Sequence, residues 1–263
     1  MLSEQAKQVA SDALWYLWGE GRRIAELPAQ IRPSTREEGY AIQALLESRT
    51  AHPLYGWKIA ATSAAGQQHI GVDCPLAGRL LRERISESGA ELVLGANHMR
   101  VAEPEFAFRM AQTLPARAAP YALEEVMAAV DTLHPAIELP DSRYDDFSKA
   151  GAAQLIADNA CAHCFVMGPA ASDQWRSEDL AEHRVTGSIA GKLLREGKGA
   201  NVLGDPRTAL TWLANELSRL GIALAAGQVV TTGTCVVPLP VGPADHVFAD
   251  FGTLGSVELR FRA

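Results

Sequence analysis

The sequence predicts an α+β fold, because helical and strand patterns are segregated along the chain. Apolar residues recur at helical spacing in residues 4–19, whereas residues 228–261 contain β-branched and alternating segments typical of strands. No internal repeat or linker divides the 263 residues. We therefore expect one domain over residues 1–263, with a mainly helical N-terminal cap (1–70) and a strand-rich part (71–263).

Two helices are predicted at the front of the chain. The first covers residues 4–19 and ends near Gly21, because glycine commonly terminates helices. The second begins at a Ser-x-x-Glu capping box formed by Ser34 and Glu37, and it extends to about Arg49. Both helices are expected to be amphipathic and to pack on the rest of the domain.

The segment from Tyr55 to Ser63 is short and apolar, which is typical of a strand that leads into a loop. Lys58 is the only charged residue within it. Its ammonium group is a candidate buried cation. The simpler interpretation is a lysine at a strand edge that extends its charge to solvent.

Further strands and helices follow from periodicity, prolines and glycines. Strands are expected at 76–81, 92–94, 99–109, 133–140, 185–194, 228–234, 247–252 and 256–261. Helices are expected at 122–130, at 149–160 and after the Asp205-Pro206 start signal as far as Gly221, with a turn at 197–199.

Two glutamates two residues apart, Glu103 and Glu105, dominate the segment 99–109. On a strand both carboxylates project from one face, where they repel each other unless a cation lies between them. Glu138 lies in another apolar segment bounded by prolines and is the natural third ligand. Three carboxylates suit a hard divalent cation, Mg²⁺ or Mn²⁺. The alternative is that Glu103 and Glu105 face solvent from an edge strand.

Composition excludes several functional classes. The formal net charge is −7 without a block of lysine and arginine, so a nucleic-acid-binding surface is not expected. No apolar run is long enough to span a membrane, and the polar, acidic start does not resemble a signal peptide, so a cytoplasmic protein is expected. Cys161 and Cys164 have the spacing of half a zinc site, but without a second pair we expect reduced thiols.

Familiar motifs of other chemistries are missing. The chain contains no Gly-x-Gly-x-x-Gly after a strand, no Walker sequence and no Gly-x-Ser-x-Gly. No sequence motif therefore supports nucleotide binding or serine hydrolysis of that type. A carboxylate-bound metal that polarises a chelating oxygen, as in enolate chemistry, remains the chemistry that the residues favour.

Six short motifs occur in order along nearly the whole chain and together resemble one family. They are Gly56–Ile59 with Thr62-Ser63, Glu103–Phe108, Ile137–Arg143, Ala157–Ala160, Leu203–Pro206 with Trp212–Asn215, and Thr232-Gly233. The family is that of 2-keto-4-pentenoate hydratase and 4-oxalocrotonate decarboxylase, within the fumarylacetoacetate hydrolase superfamily.

The resemblance implies a fumarylacetoacetate hydrolase C-terminal-domain-like mixed β-roll with N-terminal helices. It also implies that Glu103, Glu105 and Glu138 bind Mg²⁺ or Mn²⁺ and that the metal chelates a 2-oxo acid. Lys58 would lie near the 2-oxo or enolate oxygen, with Asp158 and Lys58 as competing groups for proton transfer. Ser63 and the backbone of Thr232-Gly233 would hold the substrate carboxylate.

The activity expected from this resemblance is that of a metal-dependent hydro-lyase of aromatic-compound catabolism, which adds water to a 2-hydroxy-2,4-dienoate and forms a 4-hydroxy-2-oxo acid. Decarboxylation of a 2-oxo-3-enedioate, and acylpyruvate hydrolysis or tautomerisation, are the alternatives. A non-enzymatic alternative is a silent subunit that assembles with an active pathway enzyme. Homo-oligomerisation is also expected by resemblance. The sequence departs from the family pattern at Pro75–Gly78 and at Gln228, where acidic residues are usual.

Overall fold

The structure, a computed structural model, describes residues 1–263 and contains six α-helices and thirteen strands. The helices are α1 (Glu4–Glu20), α2 (Arg36–Ala44), α3 (Ala64–Ile70), α4 (Leu123–Ala128), α5 (Ala152–Ala157) and α6 (Pro206–Arg219). The strands are β1 (Gly56–Ala60), β2 (Leu76–Leu80), β3 (Ile85–Glu87), β4 (Ala90–Leu92), β5 (Val101–Met110), β6 (Val130–Leu139), β7 (Cys164–Met167), β8 (Arg184–Ile189), β9 (Leu193–Lys198), β10 (Val229–Thr234), β11 (Leu239–Pro240), β12 (His246–Asp250) and β13 (Ser256–Phe261).

Two mixed sheets form the β part of the α+β fold. The larger has the order β2-β1-β10-β5-β6-β7-β3, with β11 paired to β5, and the smaller has the order β4-β13-β12-β8-β9. One continuous apolar core includes strands of both sheets, and Phe106 on β5 packs edge-on against Phe251, with ring centroids 5.1 Å apart. The α+β class predicted from the segregated patterns is therefore observed.

The two predicted N-terminal helices are present, and the N-cap of the second lies one residue later than predicted. Helix α1 ends at Gly21, whose φ of +62° is the left-handed conformation that glycine favours. Helix α2 begins one residue later than the predicted capping box, because Thr35 rather than Ser34 accepts the Glu38 amide. The Glu38 carboxylate accepts the amides of Ser34 and Leu2, which ties the N-terminus to α2.

The region predicted as a helical cap, 1–70, also contains β1, which lies inside the large sheet between β2 and β10. Helix α3 follows β1, at a position where a loop was predicted. Its signals are present, because the Ser63 hydroxyl accepts the Gly66 amide and Gly71 adopts a φ of +64°.

The predicted turn at 197–199 was wrong. The turn lies at 190–192, around Gly191 with a φ of +69°, and β9 continues through Gly197 to Lys198. A Cβ at Gly197 would lie 2.0 Å from the Cys235 carbonyl oxygen, so this glycine permits close backbone packing. No helix in the chain is both long enough and apolar enough to cross a bilayer.

Candidate metal and substrate site

The register of the large sheet brings three carboxylates together. Glu103 on β5 pairs directly with Glu138 on the antiparallel strand β6. Glu105 lies two residues along β5, so its side chain projects from the same face as that of Glu103. One carboxylate oxygen from each of the three residues lies within 4.8 Å of the others. The predicted triad is therefore assembled by strand pairing.

Strand order brings Lys58 to the same face. Lys58 on β1 pairs with Thr231 on β10, and Thr231 pairs with Ala107 on β5, two residues from Glu105. The ammonium nitrogen lies 3.0 Å from Glu138 Oε1 and donates a hydrogen bond of 3.0 Å to the Ala160 carbonyl. The side chain is 3% exposed, so it is a buried cation and not a lysine that reaches solvent.

The electrostatics of the cluster fit a hard cation. Glu105 Oε1 and both oxygens of Glu138 are buried without an aligned hydrogen-bond donor, although Lys58 forms an ion pair with Glu138. Burial and then repulsion from Glu138 raise the pKa of Glu103 to about 7, and burial likewise raises the pKa values of Glu105 and Glu138. Burial opposes the charge of Lys58, but attraction to Glu138 and the other two carboxylates outweighs it and raises the lysine pKa. Buried carboxylate oxygens that accept no hydrogen bond are suited to a divalent cation.

A bulge in β10 supports Glu105. The pairing of β10 with β5 shifts between Thr231 and Thr234, and Gly233 adopts a φ of +97° there. The Gly233 amide donates a hydrogen bond of 2.7 Å to Glu105 Oε2, which also accepts the Thr231 hydroxyl. The structure therefore uses the Gly233 amide, predicted to hold substrate, to orient a carboxylate.

The two neighbouring threonines of β10 point in opposite directions. Thr232, a predicted substrate-binding residue, is buried and donates its hydroxyl to the Phe106 carbonyl at 3.0 Å. It does not line the cavity beside the triad, whereas Gly233 does. The alternation of side chains along a strand explains this arrangement, because Thr231 faces the triad and Thr232 must then face away.

A cavity of about 770 Å³ adjoins the triad. Lys58, Glu103 and Glu105 contribute to its wall, and Ser63 also lines it. Glu138 is not among the residues that line the cavity and is 1% exposed. The volume is sufficient for a small organic acid beside a metal ion.

Asp158 does not line this cavity. It is buried, and its carboxylate accepts the Arg143 guanidinium, the Arg143 amide at 3.0 Å and the Ser142 hydroxyl at 2.7 Å. Arg143 also donates to the backbone carbonyls of Asp141 and Asp158. Because its oxygens are used in this way, Asp158 anchors the chain and is not presented to a substrate.

The segment after Asp158 has an unusual backbone. Asn159, Ala160 and Cys161 have φ values of +56°, +49° and +62°, and none is glycine. Each such residue stores strain, which surrounding contacts must hold. The Asn159 side-chain amide provides two such contacts. It accepts the Arg79 backbone N–H at 2.6 Å and donates to the Arg79 backbone carbonyl at 2.8 Å. This segment places the Ala160 carbonyl on Lys58.

Arg143, Asn159 and Gly78 have roles that were not predicted from the sequence. A Cβ at Gly78 would lie 2.4 Å from the Asn159 carbonyl oxygen and 3.0 Å from Lys58 Cγ, so only glycine allows β2 to pack here. Gln228, where an acidic residue was expected, accepts the Trp57 indole N–H at 3.3 Å and the Ala225 amide at 3.0 Å. Those contacts are structural.

Comparison with known proteins agrees with this geometry. Residues 82–262 match the family model "Fumarylacetoacetate (FAA) hydrolase C-terminal". The chain is 29% identical to 2-keto-4-pentenoate hydratase of Paraburkholderia xenovorans strain LB400 over 100% of this chain and 97% of that protein. It is 33% identical to 2-keto-4-pentenoate hydratase of Burkholderia vietnamiensis strain G4 over 92% of each chain.

The structural comparison covers the whole fold. The chain superposes on 4-oxalocrotonate decarboxylase from Pseudomonas putida G7, solved with magnesium and adipate, with a TM-score of 0.90, 27% identity and 99% coverage of both chains. The mixed-sheet fold expected from the resemblance is thereby confirmed. The chain belongs to the 2-keto-4-pentenoate hydratase and 4-oxalocrotonate decarboxylase family of the fumarylacetoacetate hydrolase superfamily.

Proposed function

We propose that this protein is a metal-dependent hydratase that adds water to a 2-hydroxy-2,4-dienoate and forms a 4-hydroxy-2-oxo acid. The observation that carries the proposal is the triad of half-buried Glu103 and buried Glu105 and Glu138, with Lys58 beside it at an organic-acid-sized cavity. The hydratase names of the two relatives support this reaction.

The three glutamates would hold Mg²⁺ or Mn²⁺, and the magnesium found with the Pseudomonas putida relative supports this assignment. When bound, the cation would act as a Lewis acid toward the carboxylate and 2-oxo oxygens of the substrate. The Thr231 hydroxyl and the Gly233 amide orient Glu105 for this role.

Lys58 is the group that we assign to the substrate oxygen at C2. Its ammonium forms an ion pair with Glu138 and donates one hydrogen bond to the Ala160 carbonyl, and an ammonium has three N–H donors, so it retains capacity for a hydrogen bond to the substrate. That hydrogen bond would stabilise negative charge at the enolate oxygen. The buried setting strengthens this interaction because little water competes with it.

The reaction balances as two proton-coupled steps. The dienol loses its C2 hydroxyl proton and gains a proton at C5, which gives the 2-oxo-3-enoate. Water then adds its oxygen to C4 and a proton is delivered to C3. Of the two predicted proton-transfer groups, Lys58 lines the cavity and Asp158 does not. Because the raised pKa of Lys58 keeps it protonated, we assign to it a hydrogen bond to the C2 oxygen, while water in the cavity would take the C2 hydroxyl proton.

Ser63 remains our candidate for binding the substrate carboxylate. Its oxygen accepts the Gly66 amide at 3.0 Å, so its hydroxyl proton is available for donation. Ser63 lines the same cavity as Lys58 and Glu103. For Thr232 we propose a structural role, because its hydroxyl is bound to the Phe106 carbonyl.

Decarboxylation of a 2-oxo-3-enedioate is the second candidate, because the decarboxylase from Pseudomonas putida G7 matches the whole chain. Both reactions place negative charge on the same oxygen. Decarboxylation breaks the bond to the terminal carboxylate, releases carbon dioxide and leaves the electron pair in the dienolate.

The deciding experiment incubates the purified protein with Mg²⁺ and 2-hydroxypenta-2,4-dienoate or 2-oxohex-3-enedioate. Loss of dienol absorbance with a product heavier by one water supports hydration, and carbon dioxide release supports decarboxylation. Absence of turnover with all dienoates and acylpyruvates, while Mg²⁺ still binds, would support a silent subunit that assembles with an active partner. Light scattering of the same sample measures the proposed homo-oligomer.

A further inference from the structure

The cavity is lined by more anionic than cationic side chains. Lys58 is the only lysine or arginine among its lining residues, and it is engaged by Glu138 and the Ala160 carbonyl. Glu103 and Glu105 add negative charge to the same wall. The cavity therefore provides one cationic side chain, and that side chain lies at the triad.

A second wall of the cavity is apolar and contains none of the triad. It is formed by α3, by the 3₁₀ turn Phe147–Lys149 and by α5. We call this surface the apolar wall and define it by Ala65, Ile70, Phe147 and Leu155. Leu76 on β2, fully buried, also lines the cavity.

Two polar side chains elsewhere in the cavity are hydrogen-bonded to backbone carbonyls of the protein. The Asn201 amide donates to the Cys235 carbonyl at 2.8 Å, and the Thr234 hydroxyl donates to the Val236 carbonyl at 2.6 Å. His69 is exposed, with its ring 5.7 Å from that of Phe147. No arginine is positioned to form the paired hydrogen bonds that a carboxylate prefers.

We propose that the apolar wall receives the end of the substrate remote from C1, and that the site selects 2-hydroxydienoates ending in hydrogen or alkyl and rejects those ending in carboxylate. This inference rests on the proposed function. A terminal carboxylate would lose its bound water molecules without gaining a cationic partner. An alkyl terminus would instead gain contact with Ile70 and Phe147. The selection also favours hydration, because decarboxylation requires the terminal carboxylate as its leaving group.

A solved relative binds a ligand with a carboxylate at each end. The decarboxylase from Pseudomonas putida G7 was solved with adipate, a six-carbon dicarboxylate. In this chain the cavity offers a second carboxylate only an apolar wall and partly committed polar groups. The two proteins share a fold, so selectivity must depend on cavity side chains.

The first test compares substrates that differ only at the terminus. With Mg²⁺ and the full chain, we expect kcat/KM for 2-hydroxyhexa-2,4-dienoate to exceed that for 2-hydroxyhexa-2,4-dienedioate by roughly 100-fold, with most of the difference in KM. Equal values, or a preference for the dicarboxylate, would overturn the proposal.

A binding measurement separates this inference from the proposed function. 2-Oxohexanoate and 2-oxoadipate have six carbons each and differ only in a terminal methyl or carboxylate. By calorimetry with Mg²⁺ present, we expect 2-oxohexanoate to bind at least about 10-fold more tightly. If no dienoate is turned over but this difference in affinity is found, the proposed hydratase function is refuted and the proposed selectivity is supported. Equal or reversed affinities overturn the selectivity even if hydration is observed.

Variants of the apolar wall provide the reciprocal test. Ile70→Arg should improve 2-oxoadipate binding by roughly 10-fold and weaken 2-oxohexanoate binding, since it adds a cation at the end of α3. Ile70→Met, a matched apolar control, should change neither affinity more than about threefold. Phe147→Arg with Phe147→Leu repeats the comparison if the Ile70 variant does not fold. Folded arginine variants that both leave the preference unchanged would contradict the assignment of this wall.

Discussion

Glu103 and Glu138 face each other directly across the antiparallel strands β5 and β6. Like charges at such positions destabilise a sheet, and here both are packed with Glu105 and Lys58. One lysine cannot neutralise three carboxylates, and it leaves oxygens of Glu105 and Glu138 without hydrogen bonds. This arrangement is explained by a site whose charge balance is completed by a cation.

Glu138→Gln should weaken Mg²⁺ binding by at least about 10-fold, because it removes one of three anionic ligands. Glu103→Gln and Glu105→Gln should behave alike, and dienoate turnover should fall in all three. Calorimetric titration of metal-free protein measures the affinity. Glu124→Gln on α4 is exposed and serves as the control, with unchanged affinity. Undiminished affinity in all three site variants would refute the ligand assignment.

Lys58→Met should lower kcat by about 10²- to 10³-fold, because it removes the donor assigned to the enolate oxygen. Mg²⁺ should bind as tightly or more tightly, since a competing cation leaves the triad. Steady-state kinetics and metal titration on the same preparation separate the two effects. Lys149→Met, at a lysine that is 83% exposed, should retain normal turnover. Normal kcat in Lys58→Met would exclude the proposed role.

Asp158→Asn should lower the free energy of unfolding by about 3–5 kcal/mol, because it leaves the Arg143 guanidinium buried without its counter-ion. The matched change Asp146→Asn, in a surface pair with Lys149, should cost far less, because solvent screens that pair. Urea denaturation provides both values. A similar cost for the two variants would argue against an anchoring role for Asp158.

Gly233→Ala should lower stability by about 2–3 kcal/mol or more and weaken Mg²⁺ binding. A Cβ there would lie 2.0 Å from Thr62 Oγ1, in a residue with a φ of +97°. Displacement of the bulge would also move the amide that holds Glu105. Gly191→Ala also has a positive φ but an open surrounding, so it should cost only about 1 kcal/mol and leave metal binding unchanged. Equal effects of both substitutions would contradict the close-packing argument.

Glu38 should make stability fall in acid. Hydrogen bonds from the Ser34 amide, and then from the Leu2 amide, lower its pKa from 4.5 to about 2. Its contribution is therefore complete above pH 4.5 and is lost as the pH falls through about 2. Glu38→Gln should be about 1–3 kcal/mol less stable than wild type at neutral pH, with the gap closing in that acid range. A gap that is constant with pH would exclude this origin.

Periodicity and stop signals in the sequence were sufficient for the α+β class, for most elements and for the triad as a hypothesis. Glu103 and Glu105 had to share a face once their segment was a strand, because side chains alternate. Glycine as a stop signal predicted the ends of α1 and α6 from Gly21 and Gly221. It failed at Gly197, which permits close packing against Cys235 and does not form a turn.

Tertiary structure decided what depends on pairing between distant strands. The register of β5 with β6 placed Glu138 opposite Glu103, and the position of β1 beside β10 brought Lys58 to the same face. It also assigned Thr231 to the triad side and Thr232 to the other, because a one-residue step reverses the face. From the sequence, Asp158 was a candidate for proton transfer, but in the folded chain its carboxylate forms an ion pair with Arg143. Sequence alone identified the chemical groups, and the register between strands determined which of them meet.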